Sequence, residues 1–278
     1  MTRLVCGEQT VDLSRPQVMG ILNVTPDSFS DGGRFIHHDI ALKRALTMVA
    51  EGADILDIGG ESTRPGAPAV EEQQELDRVI PVIQSIAAEL PVPISVDTNK
   101  AIVMREAVAA GAGLINDVMA LQGEGALAAA KELNVPICLM HMQGLPRTMQ
   151  QDPQYRDVVA DVKAFLSERV AVCLNAGIAR ERLLLDPGFG FGKTLEHNLR
   201  LLHDLDLFGE LQLPLLVGIS RKSMIGAVLG DAPADQRLFG GLACAVMAIE
   251  RGAAIIRTHD IKPTADVIRM THAVMSVN

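Results

Sequence analysis

Short apolar runs rich in β-branched residues recur along the chain, each bounded by Gly or Pro and separated from the next by a longer stretch of helical period. They fall at residues 18–23, 55–59, 94–97, 114–117, 137–141, 183–186, 215–220 and 255–259. The runs are continuous rather than alternating, as in strands covered on both faces, which points to a parallel sheet. Between them, Leu42, Leu46 and Val49 recur at helical spacing, as do Val158, Val162, Phe165 and Leu166. Eight strands, each followed by a helix, predict an α/β fold, a single (β/α)8 TIM barrel filling residues 1–278 as one domain. Residues 1–16 are left over, and their LVCGEQTVDL segment reads as a short N-terminal hairpin closing the barrel bottom. No low-complexity linker divides the chain. The irregular stretches 25–38, 60–70 and 142–154 each follow a strand, which puts them at the C-terminal face, where barrel enzymes keep their chemistry.

Every strand ends in a polar side chain: Asn23, Asp57, Asp97, Asn116 with Asp117, His141, Asp186, Ser220, and Arg257 with His259. A chain running out into water explains any one of these. A ring of them around one mouth reads as a site. Asp97, Asn116 and Asp186 suit a guanidine-like heterocycle that presents N–H donors beside a carbonyl acceptor. They suit a divalent cation equally well, and the spacing leaves both readings open. The cations are Arg64 in the second irregular stretch, Arg221 and Lys222 after the seventh strand, and Arg257 with His259 on the eighth. Residues 257 and 259 project to the same side of a strand, and the ends of strands seven and eight are a common phosphate site. Ser223 is placed to cap the helix that follows, whose N–H groups suit an anion. Pairing of Arg64 and Arg221 with nearby acids is the plainer alternative.

Composition narrows the class. The chain has 278 residues, is 48% hydrophobic, and carries a formal net charge of −9, with a pI near 5.3. That apolar share excludes a disordered chain, and the acidity argues against nucleic-acid or anionic-membrane binding. A local cationic cluster in an acidic protein instead implies a small anionic substrate held by a focused field. No apolar run approaches the roughly 18 residues of a spanning helix, and the first residues lack a signal-peptide centre, so a cytoplasmic protein is expected. Cys6, Cys138, Cys173 and Cys244 have no CxxC spacing and read as reduced, mostly buried thiols. DPGFGFGKT imitates a phosphate-binding loop, but Pro187 stands where GxxxxGK[ST] needs Gly, and Lys193 occupies the third glycine position of GxGxxG. Its glycines read as a loop passing close to a ligand, with Phe189 or Phe191 lining it. The adjacent His37 and His38 read as solvated, and the twelve methionines as core filler.

Several motifs together resemble the bacterial dihydropteroate synthases among the pterin-binding enzymes. They are GILNVTPDSFSDGG (20–33), GADILDIGGESTRPGA (52–67), SVDT (95–98), INDV (115–118), LMHMQG (139–144), LLDPGFGFGK (184–193), SRKSMIG (220–226) and IIRTHD (255–260). The likeness runs from end to end. It implies a transferase of folate biosynthesis, joining para-aminobenzoate to 6-hydroxymethyl-7,8-dihydropterin pyrophosphate to give 7,8-dihydropteroate and pyrophosphate, with Mg2+ present. It places Asp97, Asn116, Asp186 and Lys222 at the pterin, and Asn23, Arg64, Arg257 and His259 at the pyrophosphate, with Asn23 also reaching Mg2+. It places Thr63, Pro65, Phe191, Lys222 and Ser223 around para-aminobenzoate, with Asp97, Asp186, Lys222 and Arg257 carrying catalysis. It further implies a homodimer, and sulfonamides as inhibitors, since Phe29, Ser30, Asp31 and Gly32 follow the drug-sensitive pattern.

The chemistry agrees with these positions. An aminobenzoate nitrogen is a weak nucleophile, so departure of pyrophosphate before attack is expected. Positive charge then develops on the pterin, favoured by Asp97 and Asp186, and negative charge on the leaving group, favoured by Mg2+ and the Arg/His cluster. Closure of the first two long loops would keep water from capturing the cation. No nucleophile–base pair stands ready for a covalent intermediate, so Cys138 is expected to be dispensable. Arg257→Ala is expected to weaken binding of the pyrophosphate ester by about 1–3 kcal/mol while sparing the bare pterin. A pterin-binding methyl-transfer domain is the first rival, to which the FSDGG, STRPG and SRKS segments are foreign. A phosphosugar isomerase or aldolase would need a Lys or Glu base inside the barrel, and no strand offers an internal Lys. A catalytically silent scaffold would have no use for the full set of polar strand ends.

Overall fold

The computed structural model describes residues 3–25, 34–62 and 66–277, apart from the side chains of 34–38. Strands β3 (Gln17–Asn23), β4 (Ile55–Gly59), β5 (Ile94–Asp97), β6 (Leu114–Asp117), β7 (Ile137–Met140), β8 (Leu183–Asp186), β9 (Leu215–Val217) and β10 (Ala253–Thr258) close into one parallel barrel. β10 completes the ring by pairing with both β9 and β3. These are the eight expected runs, and four keep the expected bounds. β7 and β9 stop earlier than the apolar runs suggest. His141 still donates its N–H to the Asp186 carbonyl at 2.9 Å, so the ladder geometry outlasts β7 by a residue.

The barrel is wrapped by α1 (Arg34–Glu51), α2 (Glu72–Glu89), α3 (Ala101–Ala109), α4 (Ala126–Leu133), α5 (Val158–Asn175), α6 (Leu195–His203), α7 (Ser223–Val228), α8 (Leu238–Glu250) and α9 (Ile261–Met275). α5 carries the expected Val158, Val162, Phe165 and Leu166, and it starts at Val158 because the Asp157 carboxylate accepts from the N–H groups of Val159 and Ala160, both at 3.0 Å. Three readings need correction. On α1 Leu42 and Val49 pack partly buried against the core as expected, but Leu46 is exposed and the fully buried positions are Ala41, Ala45 and Met48: small side chains let the helix approach the sheet. β9 is followed by two helices rather than one, since Gly230 and Asp231 take positive φ and Pro233 follows, ending α7 after six residues. Ser223 is the first residue of α7 and not its cap: Lys222 holds that position and makes no side-chain capping bond.

The expected hairpin is present. β1 (Arg3–Cys6) pairs antiparallel with β2 (Gln9–Asp12). Its inward Leu4, Cys6 and Val11 pack with Met19, Ile55, Leu114, Cys138, Leu184, Leu216 and Ile255, one residue from each of seven barrel strands. Gly113 permits this contact, since a Cβ there would stand 2.5 Å from the Cys6 carbonyl carbon. The N-terminal end is thus plugged by apolar side chains. Polar groups can gather only at the other end. Among the described residues, no helix is long and apolar enough to cross a membrane.

Candidate active site

Register stacks the polar residues. Asn23 pairs with Gly59, Gly59 with Asp97, and Asp97 with Asn116, so the ends of β3, β4, β5 and β6 share one level. Gly59 contributes no side chain. A Cβ at that point would come within 3.4 Å of the Asp97 Cβ and 3.8 Å of Asn23 Oδ1, so the bare glycine leaves Asn23 and Asp97 side by side over the mouth. On the far side β7 pairs Met140 with Asp186.

Arg257 ties the two sides together. Its Nε donates to Asp57 Oδ2 at 2.6 Å and its NH2 group to Asp97 Oδ2 at 2.7 Å. Asn116 Nδ2 donates to the same Asp57 oxygen at 3.2 Å. Asp57 is fully buried, and its Oδ1 is left with no partner in the barrel. Two carboxylates therefore share one guanidinium. Burial pushes the Asp97 carboxyl up to about 7, against the pull of Arg257 and with help from the Asp57 charge. The two carboxylates raise Arg257 above its ordinary value, outweighing the opposing effect of burial. Burial also raises Asp186, whose Oδ1 accepts from the Gly188 N–H at 2.7 Å.

Lys222 faces Asp186 and Asp97 from the β9–α7 segment, its Nζ 4.0 Å from the centre of the Phe191 ring. Burial, and then the Arg257 charge, press its ammonium down to about 8, with Asp186 and Asp97 opposing. Phe191 packs with Val118, Met140 and Met149, an apolar wall along one side of the mouth. Ser220 joins the ends of β9 and β10 by accepting the His259 N–H at 3.2 Å. The mouth thus has a carboxylate–amide floor, a cationic rim and an apolar wall, the layout of a barrel enzyme that holds a planar, donor-rich ring beside an anion.

The structure gathers Asn23, Asp97, Asn116, Asp186, Phe191, Lys222, Arg257 and His259 on this face, and Ser223 lies exposed just beyond Lys222. Thr63, Arg64 and Pro65 lie outside the described residues, as do Phe29, Ser30, Asp31 and Gly32. Arg221 is not at the mouth's service: its Nε donates to Asp260 at 3.1 Å, the plainer alternative. Asp117 is a turn residue, accepting from Met119 and Leu121 N–H at 2.7 and 2.8 Å. Two features escaped the sequence reading. One is the Asp57–Arg257 bond, spanning 200 positions, which makes Asp57 a partner of the site. The other is an ion cluster in which Lys100 donates to both Glu61 and the buried Glu75 beside the β5 exit.

The comparisons agree. The model of the pterin binding enzyme family matches residues 19–259, and the chain belongs to that family. A dihydropteroate synthase of Escherichia coli (strain K12) is 56% identical over 274 residues, covering 99% of this chain and 97% of that protein. The Yersinia pestis dihydropteroate synthase, solved with a sulfonamide drug complex, is 53% identical with a TM-score of 0.94, over 99% of this chain and 100% of that one. A dihydropteroate synthase from Xanthomonas albilineans, in complex with 7,8-dihydropteroate, is 47% identical with a TM-score of 0.90, over 99% and 100% of the two chains.

Proposed function

We propose that this chain works as a dihydropteroate synthase, condensing 6-hydroxymethyl-7,8-dihydropterin pyrophosphate with para-aminobenzoate. The observation that carries the reading is the convergence of Asp97, Asn116, Asp186 and Lys222 around Arg257 at one barrel mouth, in a chain more than half identical to a named synthase over nearly its full length. Asp97 and Asp186 accept the pterin's N–H donors, and Asn116 offers both a donor and an acceptor. His259 and the rim cations take the pyrophosphate. Arg257 reaches it while holding Asp97 in place, and Arg64 belongs to the same group by resemblance.

Asn23 is the residue that would hold Mg2+. Among the described residues no group of three or more His, Cys, Asp or Glu side chains forms a metal cage. One amide oxygen beside Asp97 fits a Mg2+ that keeps water and takes phosphate oxygens. When bound, the ion would neutralise charge on the departing pyrophosphate. The buried carboxylates then face the pterin as it becomes cationic, and they are already in place before the bond breaks. Para-aminobenzoate lies against Phe191 and Lys222, near Ser223, Thr63 and Pro65, its carboxylate toward the cation. The same slot takes sulfonamides. The apolar side chains exposed on α8 and α9, among them Phe239, Met270 and Val274, support a homodimer.

The test is pyrophosphate release from the dihydropterin ester with Mg2+. Release that requires para-aminobenzoate and falls on adding a sulfonamide supports the reading. Tight pterin binding without release would return the chain to the methyl-transfer or silent readings.

A further inference from the structure

Between Asp186 and α6 the backbone makes a turn in which Gly188, Gly190 and Gly192 all take positive φ. It lies so close to β7 that a Cβ on Gly188 would stand 1.9 Å from the His141 carbonyl oxygen. Inside this turn sits Lys193, 3% exposed. Its Nζ donates to Gly188 O at 2.8 Å, Phe191 O at 3.1 Å and His141 Nδ1 at 2.9 Å. An ammonium has three donors, and all three are used. Burial presses the Lys193 ammonium down to about 7, with Asp186 opposing and Lys222 adding to the fall; while it is charged, His141 accepts at Nδ1. Its ring is held edge-on by Phe165, with centroids 4.9 Å apart. Burial, and then the Lys193 charge, press the imidazole down to about 3. An ammonium buried without a bonded carboxylate is costly. Its return here is mechanical: it draws together carbonyl dipoles that would otherwise converge on one another in a dry space.

We propose that Lys193 is a positioning residue for the aminobenzoate half of the reaction, its ammonium fixing the glycine turn so that Phe191 stays packed under Lys222. Gly190 completes the geometry, since a Cβ there would meet Lys222 Cδ at 3.1 Å. Phe191 is bonded through its own carbonyl to Lys193, so a loosened turn moves the ring directly. Asp97 and Asn116 come from β5 and β6 and are not attached to this turn; Asp186 meets it through the Gly188 N–H at 2.7 Å, but its own backbone is held in β8 by pairing with β7. Lys193 touches no substrate in this arrangement. The inference rests on the reading that para-aminobenzoate lies against Phe191 and Lys222.

A double-mutant cycle tests it. Lys193→Met keeps the length and removes the donors, and Lys193→Gln keeps polar donors without the charge should the first variant fail to fold. Either is expected to raise the KM for para-aminobenzoate at least tenfold. Affinity for 6-hydroxymethylpterin, measured by calorimetry, should stay within threefold. Phe191→Ala should raise the same KM, and adding Lys193→Met to it should change little further, because the ring being positioned is gone. A folded Lys193 variant with unchanged aminobenzoate KM overturns the proposal, as does equal loss of pterin affinity or full additivity with Phe191→Ala. If Phe191→Ala itself leaves the aminobenzoate KM unchanged, the placement of that substrate has failed instead.

Discussion

Replacing Asp57 by Asn separates charge from shape at the centre of the site. Asp57 and Asp97 share the Arg257 guanidinium through bonds of 2.6 and 2.7 Å, so their charges are near neighbours. At an effective dielectric of about 20, two unit charges about 6 Å apart repel by roughly 3 kcal/mol, or about two pH units. Part of this is lost to screening and to the dipole that Asn retains, so a shift of about one unit is expected. Its direction is fixed. Asp97 is held up at about 7 by burial and, after the opposing pull of Arg257, by the negative charge of Asp57. Removing that charge lowers Asp97, and an Arg257 no longer shared lowers it further. Pterin N–H donors need Asp97 ionised. Below about pH 7 the native enzyme must expel a proton to bind, and affinity falls about tenfold per unit. In Asp57→Asn this acid limb moves toward pH 6. Calorimetric titration with 6-hydroxymethylpterin from about pH 5.5 to 8.5 follows it, with thermal melting to confirm the fold. A limb that stays in place, or moves to higher pH, in a folded variant refutes the argument that two charged carboxylates share Arg257.

Arg257→Ala should weaken binding of the bare pterin as well as the pyrophosphate ester, each more than tenfold. The buried pairing explains this departure from the sequence-based expectation: removing the guanidinium leaves two carboxylates facing each other without a counter-charge. Loss confined to the ester would restore the simpler anion-site role. Cys138→Ser should keep kcat within twofold and lower the melting temperature by a few degrees, since Cys138 is packed against the hairpin plug and burial pushes its thiol well above the ordinary range. A folded but inactive variant would contradict the absence of a nucleophile. Leu4→Ala empties part of the same plug and should cost about 2–5 kcal/mol of stability, leaving both KM values unchanged. A threefold change in either would mean that the plug communicates with the mouth.

The strands and their polar exits were legible because a strand buried on both faces writes its length directly into the chain as an uninterrupted apolar run. Asp97, Asn116 and Asp186 could be picked out because each breaks such a run at its end. What sequence could not supply was the choice of partners. Arg257 is drawn to Asp57 and Asp97 by register set at two other places in the barrel, and Arg221, of the same type and near the same rim, is turned aside to Asp260. On α1, leucines at helical spacing outweighed alanines that pack more closely, since periodicity weighs hydrophobicity and not the distance between helix and sheet. Lys193 had a weak signal of its own: a lysine set among glycines and phenylalanines, with Glu196 the one acid within six positions on either side.

The charges at the mouth are not spread evenly, and their arrangement bears on the order of bond changes. Carboxylates come from β4, β5 and β8, with side chains at most 9% exposed, while Lys222 and Arg257 stand toward β9 and β10. A neutral pterin gains little from buried anions beyond its hydrogen bonds. A pterin that has lost pyrophosphate gains a favourable field from the same unmoved groups. Burial raises both Asp97 and Asp186; Asp97, held at about 7, is partly protonated in the free enzyme near that pH, and it is the ligand's donors that favour its ionised form. Charge on the floor is therefore called up by pterin binding, before the aminobenzoate arrives. This predicts that pterin binding releases protons near pH 7, and that aminobenzoate binding to the pterin-loaded enzyme does not. Calorimetry in two buffers of different ionisation enthalpy measures both. Proton release on aminobenzoate binding alone would mean that the floor is not charged until the second substrate enters.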